Sequence, residues 1–484
     1  MFARILLIVC SFSPVWSLQA QQDKWDLQRC VEYGLKYNIN VRQAEIQAQT
    51  SEINFNQSTL SRIPSLSYGV THGFSFGRTL DRTTNIYTDR SAMFQQMSVS
   101  SNVLLFNFNR LKNTQAASGF TYEADKLNID KIKNDIGLNI AQLYLRALLS
   151  YEQTEIARIV LQQTKAQYFN TRKLVEAGTV PELNAAELEA TVARDSATYV
   201  QAKSQAELDK LALKALLTLP ADRAFELVIP NVDQIPLDNI LLIRPDDIFE
   251  IALKTQPQIR LNDLRKDASQ KSLDAALAQM KPSLSLSGQL ASNFNQFLKM
   301  SSGILVTGEQ ATGAYAKTPT GPLPVFAPTY SMNFSKRNFS EYWDGYGKQL
   351  RDQFGQGIGL SLNVPFFNGA AARSNMNRAK LDIKRSELNI DRDKIQLKQD
   401  VFNAFYSATG AYQTYLARDK ALTTAMRSYE LANKRYELGV MQTIEWLTNQ
   451  NNLTRAKVDK MVAQYEYIFR MKVLEFFKGE GIKL

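Results

Sequence analysis

Four segments of this chain alternate between bulky and very small side chains, and a surface of that kind must be covered by something. The clearest is SLSYGVTHGFSFG, residues 65–77. Leu66, Tyr68, Val70, His72, Phe74 and Phe76 share one parity there, and Ser65, Ser67, Gly69, Thr71, Gly73, Ser75 and Gly77 share the other. Successive strand residues point to opposite faces, so the segment predicts a β-strand with one bulky face and one small, polar face. The asymmetry recurs at about 96–106 (Met97, Val99, Val103, Leu105), at 283–294 (Leu284, Leu286, Leu290, Phe294) and at 356–365 (Ile358, Leu360, Leu362, Val364). A soluble sheet buries its bulky face under a second layer. Most of the remaining chain, however, reads as helix.

Two stretches, about 110–177 and 370–438, contain no proline and carry apolar residues at helical spacing, as in Ile132, Ile136, Ile140, Leu143, Ala147 and Tyr151. At 1.5 Å per residue each is a rod of roughly 100 Å. Gly178 and Gly439 stand where a left-handed residue closes a helix. Shorter helices, about 182–218 and 442–477, are expected to return along the rods. Together with the helical segments that precede the strands they come close to the length of each rod.

The chain is duplicated. PSLSYG at 64–69 returns as PSLSLSG at 282–288, an offset of 218, and Leu35, Lys36 and Arg42 match Leu253, Lys254 and Arg260 at the same offset. LNID at 127–130 returns at 388–391, an offset of 261 that also relates Ala147 to Ala408, Tyr168 to Tyr429, Gly178 to Gly439 and Arg194 to Arg455. The second copy thus carries 43 extra residues between its strands. The organisation is read as a signal peptide (1–20), a first structural repeat (21–218), a proline-rich connector (219–245) and a second repeat (246–484). The extra residues fall in an extended surface loop at about 295–350 that contains TPTGPLPVFAPT and is loop-like by its prolines. A short strand is expected in the connector around FELVIP.

Composition narrows the function. The opening MFARILLIVCSFSPVWSLQA has one basic residue, a short apolar run and a small residue before Gln21, the pattern of a cleavable secretory signal. Its removal leaves Cys30 as the only cysteine, so no intrachain disulfide is expected. His72 is the single histidine, which leaves no metal cluster and no catalytic cysteine–histidine pair, and neither enzymatic activity nor a cofactor is expected. The net charge of +10 is spread without runs and reads as solvated helix surface rather than a nucleic-acid footprint. No stretch is apolar for the ~20 residues that a membrane helix needs, so a membrane-spanning form must be a β-barrel. A strand of about 12 residues tilted near 45° crosses a bilayer, which makes lipid the cover for the bulky faces. Four strands cannot close a barrel alone, since about eight is the practical minimum.

With the duplication, the strand pairs ahead of each long helix and the turns LVEAGTVPELNAAELEATVARD (174–195) and YELGVMQTIEWLTNQNNLTRAKVD (436–459), the chain resembles the TolC-like outer-membrane efflux channels. The resemblance implies a mainly α fold with membrane β-strands. Four strands per chain would complete a trimeric, twelve-stranded barrel continuous with a long periplasmic α-helical barrel. It implies a homotrimer in outer-membrane lipid that conducts substrates passively from an inner-membrane transporter and a periplasmic adaptor to the outside, with no role for nucleic acid. Tip turns at Gly178, Gly439, Tyr436 and Leu447 would dock the adaptor. Glu445, six residues after Gly439, matches the family's acidic entrance position; Asn184 takes that place in the first copy, and Glu187 flanks it. The alternative reading is a periplasmic adaptor or a coiled-coil structural protein, for which one helical hairpin flanked by compact β-domains is expected.

Overall fold

The computed structural model describes residues 24–81, 86–89, 91–229 and 239–480. The expected signal segment and residues 230–238 of the connector lie outside the described residues. The first repeat runs β1 (Lys24–Trp25), α1 (Leu27–Tyr37), α2 (Ile39–Leu60), β2 (Ser65–Ser75), β3 (Arg78–Asp81), β4 (Ile86–Asp89), β5 (Ala92–Phe106), α3 (Arg110–Glu176) and α4 (Glu182–Leu216). The connector holds β6 (Glu226–Leu227), the short strand expected near FELVIP. The second repeat runs α5 (Pro245–Thr255), α6 (Pro257–Ala278), β7 (Ser283–Phe297), β8 (Lys299–Thr318), β9 (Gly321–Lys336), a 3-10 turn Ser340–Trp343, α7 (Tyr346–Asp352), β10 (Gly355–Asn363), α8 (Ala371–Glu437) and α9 (Thr443–Lys478). Each helical segment before the strands proves to be two helices, broken at Asn38 and Gln256. Asn38 caps α1, donates from Nδ2 to the Leu216 carbonyl and accepts from the Asn40 N–H.

The chain forms two compact units, and each repeat contributes to both. The helical unit comprises residues up to Asn54, Ser118–Ser269 and the chain from Leu381 on. Its interior repeats the sequence offsets in three dimensions. One cluster buries Cys30, Ile140 and Leu213 with Trp25, Tyr144, Leu217 and Phe225; the other buries Ile248, Val401 and Leu474 with Ala252, Ala408 and Met471. Cys30/Ile248 are related by 218, and Ile140/Val401 and Leu213/Leu474 by 261. The parallel pair β1–β6 belongs to the first cluster, where the Tyr144 hydroxyl donates to the Val228 carbonyl at 2.6 Å. Burial pushes the Cys30 thiol up to about 12, so it stays protonated as a small apolar group.

The strand unit, Phe55–Ala117 and Gln270–Lys380, holds an antiparallel sheet in the order β10–β7–β5–β2. The β5–β7 pairing is the seam between the repeats, and β2 and β10 are the outer strands. Both strand-to-helix junctions use two successive left-handed residues: Phe108 (φ 49°) and Asn109 (φ 63°) before α3, Gly369 (φ 62°) and Ala370 (φ 61°) before α8.

The stretch at about 295–350 is not a loop. Most of it is the long hairpin β8–β9, paired from Lys299↔Lys336 to Thr318↔Gly321 with three register shifts. The prolines that mark it as irregular in sequence fit because, among the described residues, β9 pairs with β8 alone. The carbonyls of Val325 and Thr329 accept from the hydroxyls of Thr312 and Thr307 of β8, so odd-numbered backbone groups face the partner. Pro322, Pro324 and Pro328 are even-numbered, and their missing N–H groups fall on the open edge, where a strand tolerates proline.

Candidate membrane face and helix tips

The register places all four bulky faces on one side of the sheet. Tyr68 lies opposite Val99, Val99 opposite Leu290, Val103 opposite Leu286, and Leu286 and Leu284 opposite Leu360 and Leu362. Much of this side is open: Leu66 is 78% exposed, Ile358 84% and Leu360 67%. The other side is lined by Ser67, Gly69, Ser98, Ser100, Ser285, Ser287, Gly357, Gly359 and Ser361, with Ser67 and Ser100 sharing a hydroxyl bond at 2.7 Å. The larger side chains thus share one face and the smaller, polar ones the other, and the bulky face is left open where a soluble sheet would bury it.

The helix tips lie in the helical unit. Both long helices end in the same double closure. The Gly178 N–H donates to the Val175 carbonyl and the Thr179 N–H to that of Leu174; Gly439 and Val440 repeat this with Tyr436 and Arg435. Gly178 and Gly439 both have φ of 71°, the left-handed conformation this closure requires. Beneath the turns, Leu188, Trp446 and Leu447 are buried together with Tyr168, Tyr429, Tyr436 and Met441 packed around them.

Hydrogen bonds tie the two helical hairpins of one chain together at this level. Gln167 Nε2 donates to the Tyr436 hydroxyl at 2.9 Å, and Gln450 Nε2 donates to Gln163 Oε1 at 3.0 Å. Tyr436 stacks on Trp446 with centroids 5.1 Å apart, and Trp446 Nε1 donates to Asn433 Oδ1 at 3.1 Å. Arg172 donates to the Tyr168 hydroxyl and to Glu176, and these two contacts, the tyrosine first, raise its affinity for its proton.

The residues expected at the tips thus fall into two groups. Tyr436 and Leu447 belong to the interior of the tip. Glu445 is exposed in the first turn of α9, while Asn184 and Glu187 sit half-buried in the first turns of α4. Gln163, Gln167, Asn433 and Gln450 escape sequence reasoning, because a glutamine on a helix reads as a solvated face until its partner is known. Among the described residues no His, Cys, Asp and Glu group could hold a metal, and no helix is long and apolar enough to cross a membrane.

A sheet with an open apolar face, carried on unbroken 67-residue helices that end in tied tips, defines a subunit of an outer-membrane channel. The sequence matches the family described as outer membrane efflux protein over residues 34–218 and 309–472, and the chain belongs to that family. Its fold is that of the Campylobacter jejuni CmeC outer membrane channel (17% identity, 94% of this chain and 86% of that one, TM-score 0.73). It is similarly close to the Vibrio cholerae outer membrane protein VceC (14%, 94% and 97%, 0.69) and to the open Neisseria gonorrhoeae MtrE channel (18%, 94% and 89%, 0.67). Comparison with curated proteins returns no match. Family membership places the chain in the outer membrane and sets aside the reading as an adaptor or coiled-coil structural protein.

Proposed function

We propose that three copies of this chain close a barrel of twelve strands and act as the passive exit duct of a tripartite export system. The open outer strands of an otherwise lipid-compatible sheet carry this reading. β2 and β10 each have an unpaired edge, and unpaired backbone groups are too costly to leave in hydrocarbon. Pairing β10 of one copy with β2 of the next removes every edge in a ring, and four strands per copy make three copies the smallest ring above the eight-strand minimum with comfortable margin. The long helices then form the periplasmic conduit, and the tips meet a periplasmic adaptor served by an inner-membrane transporter.

In this reading the protein performs no catalysis. The Gln167–Tyr436 and Gln450–Gln163 bonds hold the two hairpins of each copy together, and parting them widens the entrance. Three copies of Glu445 around the axis form a carboxylate ring, with Asn184 and Glu187 beside it. Light scattering of the detergent-extracted protein tests the assembly. A mass of three chains is expected, and a monodisperse monomer that needs no detergent overturns the barrel.

A further inference from the structure

The extra residues of the second repeat do more than extend the hairpin. After β9 the chain turns back, and residues 339–354 lie against the bulky side of the sheet, the side that the barrel turns to lipid. Trp343 stacks on His72 (centroids 5.7 Å, planes 10° apart) and on Phe294 (6.0 Å, 3°), and Tyr346 meets Phe294 edge-on at 4.9 Å. Phe294 is fully buried as a result. Ser292 Oγ donates to the Leu350 carbonyl at 2.6 Å, and Gln349 Oε1 accepts from the Asn295 N–H, closing the β7 edge beyond the reach of β10.

The footprint has a pattern. The register groups His72, Gln95, Ser292 and Gln296 at one end of the bulky side, next to Phe294 and Met93; Ser101 and Gln356 are the other polar side chains that it puts on that side. These are polar positions that lipid cannot satisfy; the segment hydrogen-bonds Ser292, stacks Trp343 on the still exposed His72 and buries the neighbouring Phe294. It lies at the end of the strands away from their junctions with α2, α3, α6 and α8. Phe294 stands eleven residues beyond Ser283, which at 3.3 Å per residue and a tilt near 40° is roughly 28 Å, about the full height of a barrel's apolar band. The segment's own outer surface exposes aromatic rings among charges of both signs: Phe339 is 77% exposed, Trp343 37%, Phe354 has the parity of the lipid-facing positions of β10, and Asp344, Lys348, Arg351 and Asp352 are exposed. Exposed aromatic rings beside polar and charged groups are the composition enriched at the boundary between headgroups and acyl chains.

We propose that residues 339–354 are a membrane foot: an interfacial collar that rests in the outer leaflet against the outside of the barrel, with lipid as its partner. The proposal rests on the barrel reading above, because lipid must surround the bulky side for the foot to reach it. The β8–β9 hairpin then stands in water above the membrane, and the two parts of the insertion have different surroundings.

Nitroxide accessibility in the full-length protein reconstituted into liposomes tests this. Spin labels are placed through Phe339→Cys, Leu360→Cys in the apolar belt and Thr320→Cys at the hairpin turn; Cys30 is buried and stays unlabelled. The ratio of collisions with oxygen to collisions with a water-soluble nickel chelate is expected to be several-fold higher at residue 339 than at 320, approaching that at 360. A ratio at 339 equal to that at 320, with 360 still high, overturns the foot and leaves the barrel standing. A low ratio at 360 as well overturns the barrel reading itself. Should Phe339→Cys fail to assemble, Phe354→Cys provides the same comparison.

Discussion

Gly34 of α1 lies directly against Ile140 of α3: a Cβ at residue 34 would stand 2.3 Å from Cδ1 of Ile140. The second repeat solves the same contact with one carbon exchanged. Ala252 and Val401 occupy the equivalent positions, so the methyl missing from the glycine appears on α5 and the terminal methyl of the isoleucine is absent from α8. Close-packed interiors feel single carbons, and the pair conserves volume between the copies. Gly34→Ala is expected to destabilise the helical unit by about 1–3 kcal/mol through overpacking, less the ~1 kcal/mol that alanine gains in a helix. Ile140→Val alone is expected to cost about 0.5–1.5 kcal/mol. The double variant should approach the parent. Thermal melts followed by helix circular dichroism measure all three, and additive losses would show that the two sites do not share the space.

Tyr436→Phe keeps the stack on Trp446 and removes the hydroxyl that accepts from Gln167. Losing one such bond is expected to cost about 1 kcal/mol, roughly fivefold in the balance between tied and parted tips. Combined with Gln450→Ala, which removes the second tie, single-channel recordings in planar bilayers should show a larger open fraction than either single change. Unaltered conductance in the double variant would mean that the ties hold the chain together without governing the entrance.

Glu445 stands in the first turn of α9, where an acid favours the positive end of a helix by about 0.3–1 kcal/mol whatever else it does. As a ring of three it should also attract cations and select against anions. Glu445→Gln is expected to lower cation selectivity and weaken block by multivalent cations while leaving trimer stability nearly unchanged. Selectivity and block at parental values would reduce Glu445 to a helix-start residue.

The turn between Thr318 and Gly321 is the outermost point of the β8–β9 hairpin, so a protease site inserted after Thr320 should be cut on intact cells. Cleavage only after permeabilising the outer membrane would reverse the orientation of the barrel.

Asp393 lends the helical unit a sensitivity to acid. Burial alone would raise its pKa, but hydrogen bonds from Asn262, Arg392 and Gln258 outweigh this and hold the carboxylate below its ordinary range. A lowered folded-state pKa stabilises the protein above the unfolded value of about 3.9, and that contribution is lost as pH falls through the folded value. Asp393→Asn should therefore lower the melting temperature at pH 7 and flatten its fall between pH 5 and 3. A melting curve as steep as the parent's in that window would place the acid-labile group elsewhere.

The sequence by itself determined the elements whose pattern is complete within their own stretch of chain. Alternation marks β2, β5, β7 and β10 because a strand has a period of two, and the proline-free runs mark α3 and α8 because a helix has a period of 3.6; both patterns are local. Gly178 and Gly439 ended the long helices on schedule for the same reason, since the left-handed closure involves only its neighbours. Whatever depends on a partner distant in the chain was decided by tertiary structure. The prolines of 318–329 read as a loop until β8 supplied one edge and left the other open. His72 reads as one more member of a bulky face until Trp343, far along the chain, stacks on it. Gln167 and Gln450 read as solvent-facing until Tyr436 and Gln163 meet them. Local periodicity fixes which face a side chain occupies. What that face touches depends on register and packing, and these are settled only when the elements come together.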